Sequence, residues 1–147
     1  MGKTEKELRS ATKGRGRILR FLVPVWIGML AGEAAAGCNK TLISVSDWSA
    51  RQLDERNVEV SVSVLSNAEK RIRMLYAIAY FDDVFDVPIG SVSIGPDAVI
   101  AAGGTYTELS KWTPHRFGRL LKMRKEDVKT ATCVQAVLYE DGTKETF

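Results

Sequence analysis

The residues best able to do chemistry are two cysteines, Cys38 and Cys133, one histidine, His115, the acidic group Asp82, Asp83 and Asp86, and a basic stretch from Lys111 to Lys129. Each is tested against what its chemistry requires. A zinc site needs about four Cys or His ligands, and one histidine with two cysteines 95 positions apart does not supply them. Hard cations take carboxylate oxygens, but the three aspartates have no glycine-centred loop and no later glutamate at a twelfth position, so they read as solvated turn carboxylates. A serine triad would have to use His115 as its base, and no G-x-S-x-G stands near any serine. Neither G-x-x-x-x-G-K nor G-x-G-x-x-G is present to cradle a phosphate. The reading is of a chain with no catalytic constellation, no metal site and no cofactor.

The basic stretch "KWTPHRFGRLLKMRKEDVK" carries Lys111, Arg116, Arg119, Lys122, Arg124, Lys125 and Lys129 against Glu126 and Asp127. Trp112, Arg116, Arg119 and Lys122 are its candidate binding residues, for an anionic headgroup surface, an acidic envelope polymer or an envelope protein. The plainer alternative is a loop or strand edge kept solvated and unpaired by its charge. Nucleic acid is not the expected partner. Residues 1–37 hold seven basic and three acidic groups, and the remaining chain holds 14 basic against 15 acidic, so the overall charge of +3 describes the leader.

Cys38 gains its meaning from what precedes it. A basic stretch ends at Arg20, an apolar run follows from Phe21 to Gly32, and small residues occupy Ala34 to Gly37. These are the three parts of an export signal. The run of about 12 residues reaches roughly 18 Å as a helix, short of the ~30 Å hydrocarbon core, and Pro24 interrupts it. Residues 1–37 are therefore read as a signal peptide and 38–147 as the mature domain. Ala34-Ala35-Ala36 suits ordinary signal peptidase. Ala35-Ala36-Gly37-Cys38 resembles a bacterial lipobox, with Ala35 where that pattern prefers Leu, and it implies a diacylglycerol on the Cys38 sulfur as a membrane anchor. A retained anchor is the third possibility. A disulfide from Cys38 to Cys133 is permitted by an oxidising periplasm. An acylated Cys38 would instead leave Cys133, in the apolar run "TATCVQAVLY", as a small buried hydrophobe, and this is the preferred reading.

The elements that must position these residues are strands. Val58, Val60, Val62 and Val64 alternate with Glu59, Ser61 and Ser63, the period of two that turns one face to a core and the other to water. "IRMLYAIAYFD" follows a polar turn and is apolar on both sides, which places it centrally in a sheet, and Tyr80 is read as a core residue beside Val60 and Val62. "TLISVSDW" offers a first strand with the polar "SARQLDERN" behind it, and short strands are expected near Ile89 to Ile94 and over "TYTELSKW". A long loop with a helical turn near Arg119 to Lys125 covers the basic stretch. Asp141-Gly142 between alternating runs predicts a closing hairpin. The fold class is all-β, an antiparallel immunoglobulin-like sandwich.

The stretch "VEVSVSVLSNAEKRIRMLYAIAYFDDVFDVPIG", with "DAVIAAGGTYTEL" behind it, resembles the immunoglobulin-like domains of small bacterial envelope lipoproteins of the FxLYD type. Asn67, Phe81, Asp82 and Gly103 carry the likeness over roughly residues 57 to 109. Those domains usually have a glycine about three residues after the aspartate, where this chain has Phe85 and Asp86. The resemblance implies no catalytic residues. Together these readings describe a non-enzymatic binding or scaffold domain of the bacterial periplasm, lipid-anchored at Cys38, with a small periplasmic enzyme or ligand-binding protein as the alternative.

Overall fold

Val58, Val60, Val62 and Val64 are all fully buried, and the strand that carries them, β2 (Asn57–Ser66), is the centre of a three-stranded sheet. It pairs antiparallel with β1 (Ile43–Asp54) on one side and β5 (Thr105–Trp112) on the other. The second sheet runs β4-β3-β6-β7, from β4 (Pro88–Ile94), β3 (Ile72–Asp83), β6 (Val128–Tyr139) and β7 (Lys144–Thr146). This computed structural model describes residues 37–147, and the leader expected over residues 1–37 lies outside them but for Gly37. The chain folds as an antiparallel, immunoglobulin-like β-sandwich whose core lies between the two sheets. Among the described residues no helix is long and apolar enough to cross a membrane.

The central position expected for β3 holds, since it is flanked by β4 and β6. Its buried face differs from the sequence reading. Leu75, Ala77, Ala79 and Phe81 point into the core, while Met74, Tyr76 and Tyr80 face outward, with Tyr80 38% exposed. The reason is space. Ala77 and Ala79 take little room in the core that they share with the valines of β2, and the bulk that closes it comes from aromatic rings at the end of β3. Phe81 meets Trp48 edge-on at 5.8 Å and Phe117 edge-on at 6.3 Å.

Strand β1 continues through the segment read as polar, to Asp54, because an edge strand needs only its inward side chains to be apolar. It turns into β2 at Glu55 and Arg56. At the far end Gly142 adopts φ 84°, which the tight β6–β7 turn requires and a side chain would resist. Asp86, in the β3–β4 turn, also has a positive φ, 62°. It occupies, at a cost, a left-handed conformation that glycine adopts freely.

Two predictions follow the burial pattern. Val62→Asp should unfold the domain, because an unpaired buried charge costs several kcal/mol against a typical stability of about 5 to 15. Tyr80→Asp should leave a cooperative thermal melt, at a cost of about 1 kcal/mol. Equal damage at both positions would refute the assignment of faces. At the turn, Asp86→Val should be less stable than Asp86→Gly by about 1 to 2 kcal/mol, read from paired denaturant titrations.

Candidate functional site

The segment between β5 and β6 contains the sequence-predicted binding residues. Pro114 starts a four-residue helix, α1 (Pro114–Phe117), its fixed φ suiting the first helical position. Short 3₁₀ turns follow at Leu120–Lys122 and Lys125–Asp127. The segment is not a free loop, because Phe117 and Leu120 are buried in the core. Gly90 of β4 makes room for the Phe117 ring, since a Cβ there would meet it at 2.7 Å. The spacing of Phe117 and Leu120, three apart on one helical face, was the available sequence signal for this anchor.

Trp112 packs its ring on Phe117 at 5.2 Å, and the Arg116 guanidinium lies 5.0 Å over the Trp112 ring. The Trp112 Nε1–H is buried and has no hydrogen-bond partner among the described residues. Arg119 points elsewhere, donating from Nη2 to Asp83 Oδ2 at 2.6 Å. Lys122 lies exposed beside it, and the two line an open hollow of about 540 Å³ with Val84, Phe85 and Met123. The four candidates thus form two pairs, Trp112 with Arg116 and Arg119 with Lys122, rather than one surface.

The local charge excess is largely neutralised within the fold. Arg119 pairs with Asp83, Arg124 with Glu126 and Asp127, Lys125 with Asp47, and Lys129 with Asp86. Among the described residues Lys111, Arg116 and Lys122 are the cations of this stretch that form no ion pair. Carboxylates brought from β1 and the β3–β4 turn, distant in sequence, do the neutralising.

Asp83 is not the solvated turn carboxylate expected from sequence. It is 4% exposed, and its Oδ1 accepts from the backbone N–H groups of Phe85 at 2.9 Å and Val87 at 3.0 Å. The hydrogen bond from Arg119, with those backbone donors, holds its carboxyl below the ordinary value of 3.8. Asp83 therefore fixes the turn and joins it to the basic segment. Asp82 and Asp86 do not converge with it on a cation position, and no group of three metal-ligating side chains occurs among the described residues. His115 is exposed.

The two cysteines are brought together. Cys38 and Cys133 form a disulfide with their Cα atoms 5.1 Å apart, within the span a disulfide bridges. Cys133 is buried as expected, at 8% exposure, but the preferred reading of its thiol as unpaired is corrected. Residues flanking Cys38 explain the meeting. Asn39 exchanges backbone hydrogen bonds with Val134 at 3.0 and 2.9 Å, and its side-chain Oδ1 accepts from the N–H groups of Thr41 and Leu42, both at 2.9 Å. Asn67 adds a side-chain bond to the Thr41 carbonyl at 2.8 Å. A sulfur in this bond has no valence for a lipid thioether, so the disulfide and lipidation at Cys38 exclude one another.

Comparison with known proteins finds no matching family model, no matching curated protein and no matching solved structure.

The Asp83 arrangement predicts a pH dependence. A carboxyl lowered in the folded state contributes stability that is present above its unfolded pKa and lost as pH falls through the folded one. Asp83→Asn should lower the melting temperature by several degrees at pH 7, and the gap to wild type should begin to narrow below about pH 4, where the carboxyl of the unfolded chain takes up its proton, and close as pH falls through the lower folded value. A gap independent of pH from 7 to 2 would show that the charge on Asp83 does not matter.

Proposed function

We propose that the chain is an exported, envelope-associated domain of a bacterial cell that acts by binding or scaffolding and not by catalysis. The observation that carries the reading is Cys38, which follows the small-residue end of a basic-then-apolar leader and also lies where the β-sandwich begins. Both fates open to its sulfur belong to exported proteins. A disulfide persists in an oxidising compartment, and a diacylglycerol thioether is the mark of a lipoprotein.

The pairing of Cys38 with Cys133 favours the disulfide in the folded domain. Ala35-Ala36-Gly37-Cys38 favours the lipid, and lipid anchorage at Cys38 is the second reading. Lys111, Arg116 and Lys122, with Trp112, remain as the part of the basic stretch available to an anionic partner, supported by the ion pairs that occupy Arg119 and its neighbours. Contact of this kind is worth about 1 kcal/mol per cation at an anionic membrane and is screened within roughly 8 to 10 Å, so it is auxiliary.

Intact mass of the protein purified from bacterial envelopes distinguishes the fates. Cleavage in the Ala34–Gly37 region with loss of two hydrogens between the cysteines supports the disulfide form. A diacylglycerol adduct on an N-terminal Cys38 supports the lipoprotein form. A chain recovered from the cytoplasm with Met1 and two free thiols would overturn the export reading.

A further inference from the structure

The two outer faces of the sandwich differ in kind. On the β1-β2-β5 sheet the outward rows carry Ser49, Arg51, Glu59, Ser61, Ser63, Thr107 and Lys111, and the exposed apolar side chains of the sheet are two separate leucines, Leu109 at 62% and Leu53 at 39%. On the other sheet the ladder sets Met74 opposite Leu138, Tyr76 opposite Ala136, Ile78 opposite Cys133 and Tyr80 opposite Ala131. Alternation with the buried residues of β3 puts these four rungs on the outside. None of these eight side chains carries a charge, and the row is bordered by Ser91 and Ser93 of β4 and by Lys144 and Thr146 of β7. Tyr76 is 59% exposed and Met74 40%, and beside them Met74, Pro96 and Leu138 line an apolar hollow of about 290 Å³. Arg73 and Lys144 stand at the margin, exposed.

Cys133 belongs to this same outer row, so the disulfide from Cys38 lies on the apolar face. Asn39 is already bridged to Val134, which leaves no spacer between Cys38 and the sheet. Whatever holds the chain to a membrane on the N-terminal side, whether a lipid on Cys38 or a retained leader, therefore joins the domain at the edge of this face. We propose that the outer face of the β4-β3-β6-β7 sheet, centred on Tyr76 and Tyr80, rests on the phospholipid bilayer interface. This rests on the envelope reading above. The chemistry fits the occupant: tyrosines with an apolar ring and a polar tip suit the headgroup level, methionine and leucine suit the acyl boundary beneath it, and the long basic side chains at the rim can reach phosphates. Because the centre of the face is uncharged, its contact depends little on salt, unlike one made by Arg116 and Lys122.

The test uses the mature protein purified from envelopes, mixed with phosphatidylethanolamine–phosphatidylglycerol vesicles at low and physiological salt. Tyr76→Asp with Tyr80→Asp should lower the vesicle-bound fraction by roughly tenfold or more, since each loss of apolar burial is of the order that shifts an equilibrium tenfold. Leu109→Asp on the opposite face should leave binding unchanged, and circular dichroism melts verify that all variants fold. The indole introduced by Tyr76→Trp should be quenched by brominated lipid beyond the wild-type background, and that from Leu109→Trp should not. Equal binding of wild type and the double variant, or no binding by wild type, overturns the proposal. So does salt-sensitive binding lost on changing Arg116, Arg119 and Lys122 to Ser, which would move the contact to the basic stretch. Self-association in the absence of vesicles that is abolished by the Tyr76 and Tyr80 changes would assign the face to a second copy instead. The mass measurement judges export separately, so failure here leaves that reading standing and failure there does not alter these outcomes.

Discussion

The aromatic chain Trp48–Phe81–Phe117–Trp112 is the contact on which the rest of the sandwich depends. Trp48 belongs to β1 and Trp112 to β5 of one sheet, Phe81 to β3 of the other, and Phe117 to the segment that crosses between β5 and β6. Four large rings thus link both layers to the connection between them. Edge-on pairs of this kind contribute about 0.5 to 1.5 kcal/mol beyond their burial. Their larger effect is geometric. The core is built of small side chains where Ala77 and Ala79 of β3 and the valines of β2 are buried, and of large rings around Phe81, where Gly90 yields space to Phe117. A segment that carries seven cations is held against the core by the buried Phe117 and Leu120, with Trp112, Leu121, Met123 and Val128 packed around them.

That anchoring explains why the charge of residues 111 to 129 misleads when taken as a sum. Once Phe117 and Leu120 are seated, Arg119 is delivered to Asp83 and the following turns bring Lys125 to Asp47 and Lys129 to Asp86. The exposed pairs among these contribute little to stability. They matter because they cancel the field that an anionic partner would feel. The buried carboxylate of Asp83 differs, since it satisfies two backbone donors and one guanidinium and so sets the shape of the β3–β4 turn. Phe85, 83% exposed, stands on that rigid support.

What could be read from the sequence was the part governed by local periodicity. Alternation along Val58 to Val64 located β2 and its buried face, and Asp141-Gly142 located the last hairpin, because each rule involves only neighbouring residues. For β3 the period was clear but both faces were apolar, and periodicity alone cannot say which of two apolar faces is covered. The larger side chains suggested the Tyr80 row, yet the row that is buried is Leu75, Ala77, Ala79 and Phe81. Pairings over long separations, Cys38 with Cys133 and Arg119 with Asp83, depend on the topology and have no local signature. The positive φ of Asp86 was not legible, because an aspartate in a turn can take several backbone conformations and nothing local singles this one out.

The outward row of β3 then takes on a different weight. A sandwich needs one apolar face on each sheet, and the second sheet adds an outward apolar row on β3 and β6, bordered by Ser91 and Ser93 of β4 and by Lys144 and Thr146 of β7. Apolar residues scattered singly on a surface call for no explanation, but here they are successive rungs of one ladder, adjoining a hollow, with the serine-rich face of the other sheet as an internal contrast. Folding alone does not select such a row, because Ser or Thr at Tyr76 and Tyr80 would satisfy the same strand geometry with less apolar surface in water. The strap from Cys38 through Asn39 is fixed to the same sheet by its own backbone bridge and by the Asn39 turn as well as by the disulfide. The position of Asn39 is therefore set by hydrogen bonds that do not involve the Cys38 sulfur, and it brings the N-terminal end of the described chain onto the sheet that carries the outward apolar row.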